Sequence, residues 1–215
     1  MLIIFDLDGT LLNTIADLGE ACNVALSQHN FPTHSTDEYP HLVGNGVNKL
    51  IERALPDGHK DTDTIMRMRE TFVKYYDRHN CVHTRPYDGI EALLNELKKQ
   101  GHTLAVASNK YQSAAQHIVE HYFPGTFNII FGERSGCPRK PDPQIVRDIM
   151  TAAGKETEVL YIGDSDVDIA TAKNAGVRCV ACTWGFCPKE TLENCNPDFI
   201  VNTPQEINII ISSNQ

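Results

Sequence analysis

The first fourteen residues, MLIIFDLDGTLLNT, constrain the fold more than any other stretch of the chain. Met1 to Phe5 is a continuous apolar run with β-branched members and an acidic stop, the pattern of a strand buried on both faces. Side chains of a strand repeat every two residues, which sends Asp6 and Asp8 from its end to the same side. Two like charges at the mouth of a core strand are costly unless a cation, a bound proton or both relieve them. Gly9 and Thr10 then turn the chain, and Leu11 and Leu12 resume the apolar character.

The buried strand needs partners, and the next seventy residues supply none. Ile15, Leu18, Cys22, Ala25 and Leu26 mark one helical face; Val47, Leu50, Ile51, Ala54 and Leu55 mark a second. Asp61, Thr62 and Asp63 are capping candidates for a third helix carrying Ile65, Met68, Phe72 and Tyr75 or Tyr76. From Arg85 the pattern changes. Asp88 with Glu91 reads as a capping box for a helix through Leu97, Gly101 stops it, and HTLAVASN follows as a strand ending on Ser108 and Asn109. A helix from about Tyr111 to Tyr122 comes next, then a strand in FNIIFG, a helix around Ile145 to Ala153 and the strand VLYIGDSD. A short helix around Ile169 to Asn174, the strand VRCVACTW, a brief DFIV strand and a last helix from about Pro204 complete the chain. Strands alternating with helices imply a parallel sheet covered on both faces. The expected architecture is therefore α/β, a Rossmann-like three-layer core of residues 1–14 and 85–215, with an all-helical insert over 15–84.

Composition narrows the partners. A formal charge of −9 argues against a general nucleic-acid or anionic-membrane binder, which relies on a basic face. No apolar stretch is long enough to span a bilayer, and a charge already at Asp6 does not suit a secretory leader, so the expected location is cytoplasmic. Seven cysteines, an odd number scattered through a core-forming chain, read as reduced thiols. Cys179 and Cys182 lie three apart in a strand, facing opposite sides, which favours a core role over zinc.

Ligands of an open parallel sheet bind beyond the carboxyl ends of its strands. Four polar clusters lie at such ends or in the loops after them: Asp6 with Asp8, Ser108 with Asn109, Lys140 in KPDP, and Asp164, Asp166 and Asp168 in GDSDVD. Each alone has an ordinary reading. Ser108 could cap a helix, and Lys140 could be a solvated loop charge. Asn109 and Lys110 either reach a substrate or start a helix. Gly44, Asn45 and Gly46 either bring backbone amides to a small substrate or merely turn the chain before a helix. His117 and His121 are a helical turn apart but lack the HExxH arrangement, which favours a surface role.

The set DLDGT, Ser108 after a strand, Lys140 in KPDP and GDSDVD resembles the haloacid dehalogenase-like hydrolase superfamily in order and spacing. The insertion point of the helical segment is similar to that of the family's helical cap of the first type, and VGNGVNKLIERAL, RPYDGI and SNK resemble the phosphoglycolate phosphatase group. The resemblance implies a Mg2+-dependent phosphatase acting on a small phosphorylated metabolite, phosphoglycolate first, through an aspartyl-phosphate on Asp6. Asp8 would then serve as acid and base, and Lys140 and Ser108 would steady the phosphoryl group. The metal would be held by the side chains of Asp6 and Asp164 and the backbone carbonyl of Asp8, with Asp168 supporting Lys140 or a metal-bound water. Asp166 stands outside that pattern, and Asn13 departs from it where the family often has Asp. A β-phosphoglucomutase-like mutase and a pyrophosphate hydrolase are the alternative enzymes; monomer and homodimer both stay open.

Overall fold

Leu2–Phe5 forms strand β1, and all four side chains are fully buried. Each contributes about 1.5–3 kcal/mol by leaving water, which makes this short strand an anchor for what pairs with it. The computed structural model describes residues 1–154 and 158–213; the remaining positions of the expected 85–215 segment lie outside the described residues.

After β1 come β2 (Leu12–Asn13), α1 (Ile15–Gln28), a 3-10 turn (Thr36–Glu38), α2 (Tyr39–Leu42), α3 (Val47–Ala54) and α4 (Thr62–His79). They are followed by β3 (Arg85–Pro86), α5 (Ile90–Lys99), β4 (Thr103–Tyr111), α6 (Gln112–Tyr122), β5 (Ile129–Glu133) and α7 (Gln144–Ala153). The last elements are β6 (Val159–Gly163), α8 (Asp166–Ala175), β7 (Arg178–Cys182), α9 (Lys189–Asn194), β8 (Phe199–Val201) and α10 (Pro204–Ser212). The chain divides into two compact units, Met1–Asn13 with Pro86–Gln215, and Thr14–Arg85.

The first unit is a six-stranded sheet in the order β5-β4-β1-β6-β7-β8, with every pairing parallel. β1 lies at its centre, Phe5 opposite Val106 of β4 on one side and Ile162 of β6 on the other. Leu2 and Ile4 turn to the face where Ile145, Val146 and Ile149 of α7 and Ile169 of α8 pack. The alternate residues Ile3 and Phe5 turn to the opposite face. There α6 runs along β4 and β5, and α5 packs on α10. The result is a three-layer, Rossmann-like α/β core. The chain leaves β1 toward β4 and β5, then returns across to β6, so the switch in winding direction falls at the carboxyl end of β1, where such folds bind ligands.

The second unit is helical throughout its longer elements. Asp61 caps α4, accepting from the Thr64 N–H at 2.9 Å. Asp17 of α1 is buried and accepts from the backbone N–H groups of His83 and Thr84 and from the Thr84 hydroxyl, which ties the last residues of the unit to its first helix.

Several local expectations are corrected. The expected Asp88–Glu91 box does not form, because Gly89, with φ +88°, is the N-cap of α5. β4 does not stop at Asn109 but runs to Tyr111, so Asn109 and Lys110 belong to a strand and not to a helix start. α8 begins three residues earlier than Ile169, at Asp166, capped by Ser165. The sequence pattern gave no sign of α9, α2 or the 3-10 turn.

Candidate active site

Four segments converge beyond β1. Asp6 and Asp8 follow that strand, Ser108, Asn109 and Lys110 close β4, Asp164 and Asp168 follow β6, and Lys140 comes from the loop between β5 and α7. Asp6, Ser108, Asn109, Lys110, Lys140, Asp164 and Asp168 are all buried polar residues. A structural role for any one of them would not require the others to gather there.

Lys140 is the hub. Its Nζ lies 2.7 Å from Asp6 Oδ1, 2.7 Å from Asp168 Oδ1, 3.0 Å from the Ala107 carbonyl and 3.1 Å from Tyr161 Oη. Four acceptors thus surround three N–H bonds. Burial alone would push the ammonium toward neutrality, but the carboxylates of Asp168 and Asp6 outweigh it and hold the Lys140 pKa well above its usual value. The Asn109 side-chain amide clamps the Lys140 backbone, donating to its carbonyl at 3.2 Å and accepting from its N–H at 2.9 Å.

Asp168 completes the anchor. While Oδ1 meets Lys140 and Tyr161, Oδ2 accepts from the N–H and hydroxyl of Ser165 at 3.1 and 2.5 Å, closing a capping box at the start of α8. Asp164 is held from two other sides: Thr10 Oγ1 donates to its Oδ1 at 2.8 Å, and the Phe186 N–H donates to its Oδ2 at 2.9 Å. Its carboxylate passes so close to Gly9, at φ +92°, and to Gly185 that a Cβ on either would overlap it. Trp184 pins the same loop, its indole N–H donating to the Thr10 carbonyl at 3.0 Å.

Carboxylate oxygens of Asp6, Asp164 and Asp168 lie within 4.8 Å of one another. Burial, with Asp168 adding to it and Lys140 opposing, pushes Asp6 up to about 7. Burial, then Asp168 and Asp6, pushes Asp164 well above the carboxylate range. One buried ammonium does not balance three buried acids, and an all-oxygen donor set with that surplus of negative charge fits a hard divalent cation such as Mg2+. Asp17, Glu20 and His83 form a similar grouping in the helical unit, but Glu20 and His83 are exposed and only Asp17 is buried, its charge met by the N–H groups of His83 and Thr84.

Asp8 stands outside the three-acid cluster; Lys110 Nζ meets its Oδ1 at 2.9 Å and its Oδ2 at 3.0 Å. Ser108 Oγ accepts from the Lys110 N–H at 3.2 Å. Gly44, Asn45 and Gly46 lie in the helical unit with positive φ, and Arg53 donates to the carbonyls of Leu42, Val43 and Gly44 beside them. Sequence reasoning missed Thr10, Tyr161 and the Thr183–Phe186 loop. A tyrosine inside the buried strand VLYIG was the available signal, since a buried hydroxyl needs a partner. The loop gave none, because it meets Asp164 through the Phe186 N–H and the close approach of Gly185, and Trp184 bonds a backbone carbonyl.

Known proteins resemble this chain in sequence and in fold. A family model described as haloacid dehalogenase-like hydrolase matches residues 3–182. A phosphoglycolate phosphatase of Cereibacter sphaeroides is 37% identical over 191 residues, 86% of this chain and 85% of that protein. One of Aquifex aeolicus is 32% identical over 207 residues, 95% of this chain and 93% of that protein. The crystal structure of a predicted phosphoglycolate phosphatase from Haemophilus somnus superposes with a TM-score of 0.90 at 31% identity, covering 98% of this chain and 97% of that one. With the family model spanning most of its length and relatives above 30% identity over nearly all of it, the chain belongs to the haloacid dehalogenase-like hydrolases.

Proposed function

We propose that this enzyme hydrolyses phosphoglycolate through an aspartyl-phosphate on Asp6, with Mg2+ as its cofactor. The broader class, a phosphoric monoester hydrolase, follows from the family and from relatives named phosphoglycolate phosphatase. The observation that carries the mechanism is the buried pair of Asp6 and Lys140, 2.7 Å apart, at the carboxyl end of the central strand. Lys140 holds Oδ1, which leaves Oδ2 as the oxygen offered to phosphorus.

Attack by Asp6 forms the Oδ–P bond while the bond from phosphorus to the substrate oxygen breaks. Asp8 gives its proton to that departing oxygen and then takes one from the water that attacks the aspartyl-phosphate. Lys140 neutralises charge on the phosphoryl oxygens, and Ser108 with nearby backbone amides orients them. The Asp6 and Asp164 carboxylates and the Asp8 carbonyl would hold the cation, with Asp168 keeping Lys140 in place. Bound there, Mg2+ supplies positive charge that lets an anionic substrate meet an anionic nucleophile. Residues 15–84 serve as the cap that selects the substrate, with Gly44, Asn45 and Gly46 offering it backbone amides.

The test is phosphate release from phosphoglycolate, sugar phosphates and pyrophosphate, with and without Mg2+. Release from phosphoglycolate at the highest kcat/KM, lost on chelation, supports the reading. Isomerisation of a sugar phosphate without release, or a preference for pyrophosphate, would replace it.

A further inference from the structure

Lys110 has no part in the chemistry above, yet its side chain is only 3% exposed. A solvated Lys–Asp pair at a surface is worth little and needs no explanation. A buried ammonium is costly unless its partners repay the lost hydration. Lys110 meets that cost through Asp8, reaching both oxygens at 2.9 and 3.0 Å. Lys140 contacts Asp6 and Asp168. Each of the two acids after β1 therefore has its own buried lysine. The strand that carries Lys110 is β4, the direct parallel neighbour of β1, so the clamp is built into the sheet and not into a surface loop.

We propose that Lys110 is a positioning residue for proton transfer: when Asp8 takes up its proton, the ammonium, which reaches both oxygens in the ionised form, keeps the carbonyl oxygen and so turns the O–H toward the leaving oxygen. The proposal rests on the assignment of Asp8 as proton donor made above. As the Asp6 Oδ–P bond forms, the electron pair of the breaking P–O bond goes to the leaving oxygen, which takes the Asp8 proton. The carboxylate left behind stays hydrogen-bonded to Lys110, aligned to accept a proton from the water of the second step.

The test compares kcat/KM, which covers the steps through departure of the leaving group, on three substrates. Phosphoglycolate and 2-hydroxyethyl phosphate both release alkoxides that need a proton; p-nitrophenyl phosphate releases a phenolate that does not. Lys110→Met is expected to lose at least about 10-fold on both alkyl substrates and less than about threefold on the aryl one. Lys110→Gln, a second neutral variant, is measured beside it and should give the same alkyl-to-aryl ratio. Loss confined to phosphoglycolate would mean that Lys110 binds the substrate carboxylate, and equal loss on all three would mean a structural role; either overturns the proposal. Asp8→Asn separates the two claims. If it shows the alkyl-specific loss and the Lys110 variants do not, only the role of Lys110 falls; if it too loses all three equally, the assignment of Asp8 falls and takes the proposal with it.

Discussion

Asp6 and Lys140 are each stabilised by the other, and substitutions at the two should therefore differ in kind. Asp6→Asn keeps the shape and should abolish phosphate release while the protein stays folded, read by turnover alongside circular dichroism. Lys140→Met strips the counter-charge from two buried acids and should cost about 3–5 kcal/mol of stability in urea denaturation, besides the loss of activity. Trp184 is the sole tryptophan of the chain, and Thr10 links it to Asp164. Its fluorescence should change saturably on titration with Mg2+, and Asp164→Asn should remove that change; an unresponsive wild type would count against Asp164 as a ligand.

Among the elements, the loop between β7 and α9 shows how a segment without a catalytic side chain can shape the site. Gly185→Ala would drive a methyl group into Asp164, and the expected result is a loss of about 1–3 kcal/mol with weaker Mg2+ binding by calorimetry. The strands and longer helices were legible because their apolar residues repeat at two or at three and four. α9 was not, since Lys189–Asn194 spans fewer than two turns and shows no period. The last two residues of β4 were not legible for a related reason: Lys110 follows Ser108 and Asn109, polar residues of the kind that start helices, while tertiary partners, Lys140 for Asn109 and Asp8 for Lys110, hold that stretch in the strand.

In the whole molecule, a formal charge of −9 surrounds a site meant for an anion. Set against the surplus of three buried acids over Lys140, the proposed Mg2+ would be a stabilising ligand as well as a cofactor and should raise the melting temperature; at a hundred times its Kd the gain is about 2.7 kcal/mol. The positions of Asp6, Asp8, Lys140 and Asp164 could be read from the sequence because the fold places every strand end and the loops after them on one edge. The pairing of Asp168 with Lys140 was implied by the resemblance, whereas that of Asp8 with Lys110 was not legible, because it depends on side-chain directions across the sheet. The central claim is that Asp6 is the nucleophile. Acid quench during turnover of phosphoglycolate, followed by borohydride reduction and peptide mass spectrometry, tests it most directly: an aspartyl-phosphate at position 6 should appear as homoserine there, and phosphate release with Asp6 unmodified, or homoserine at another position, would contradict the account.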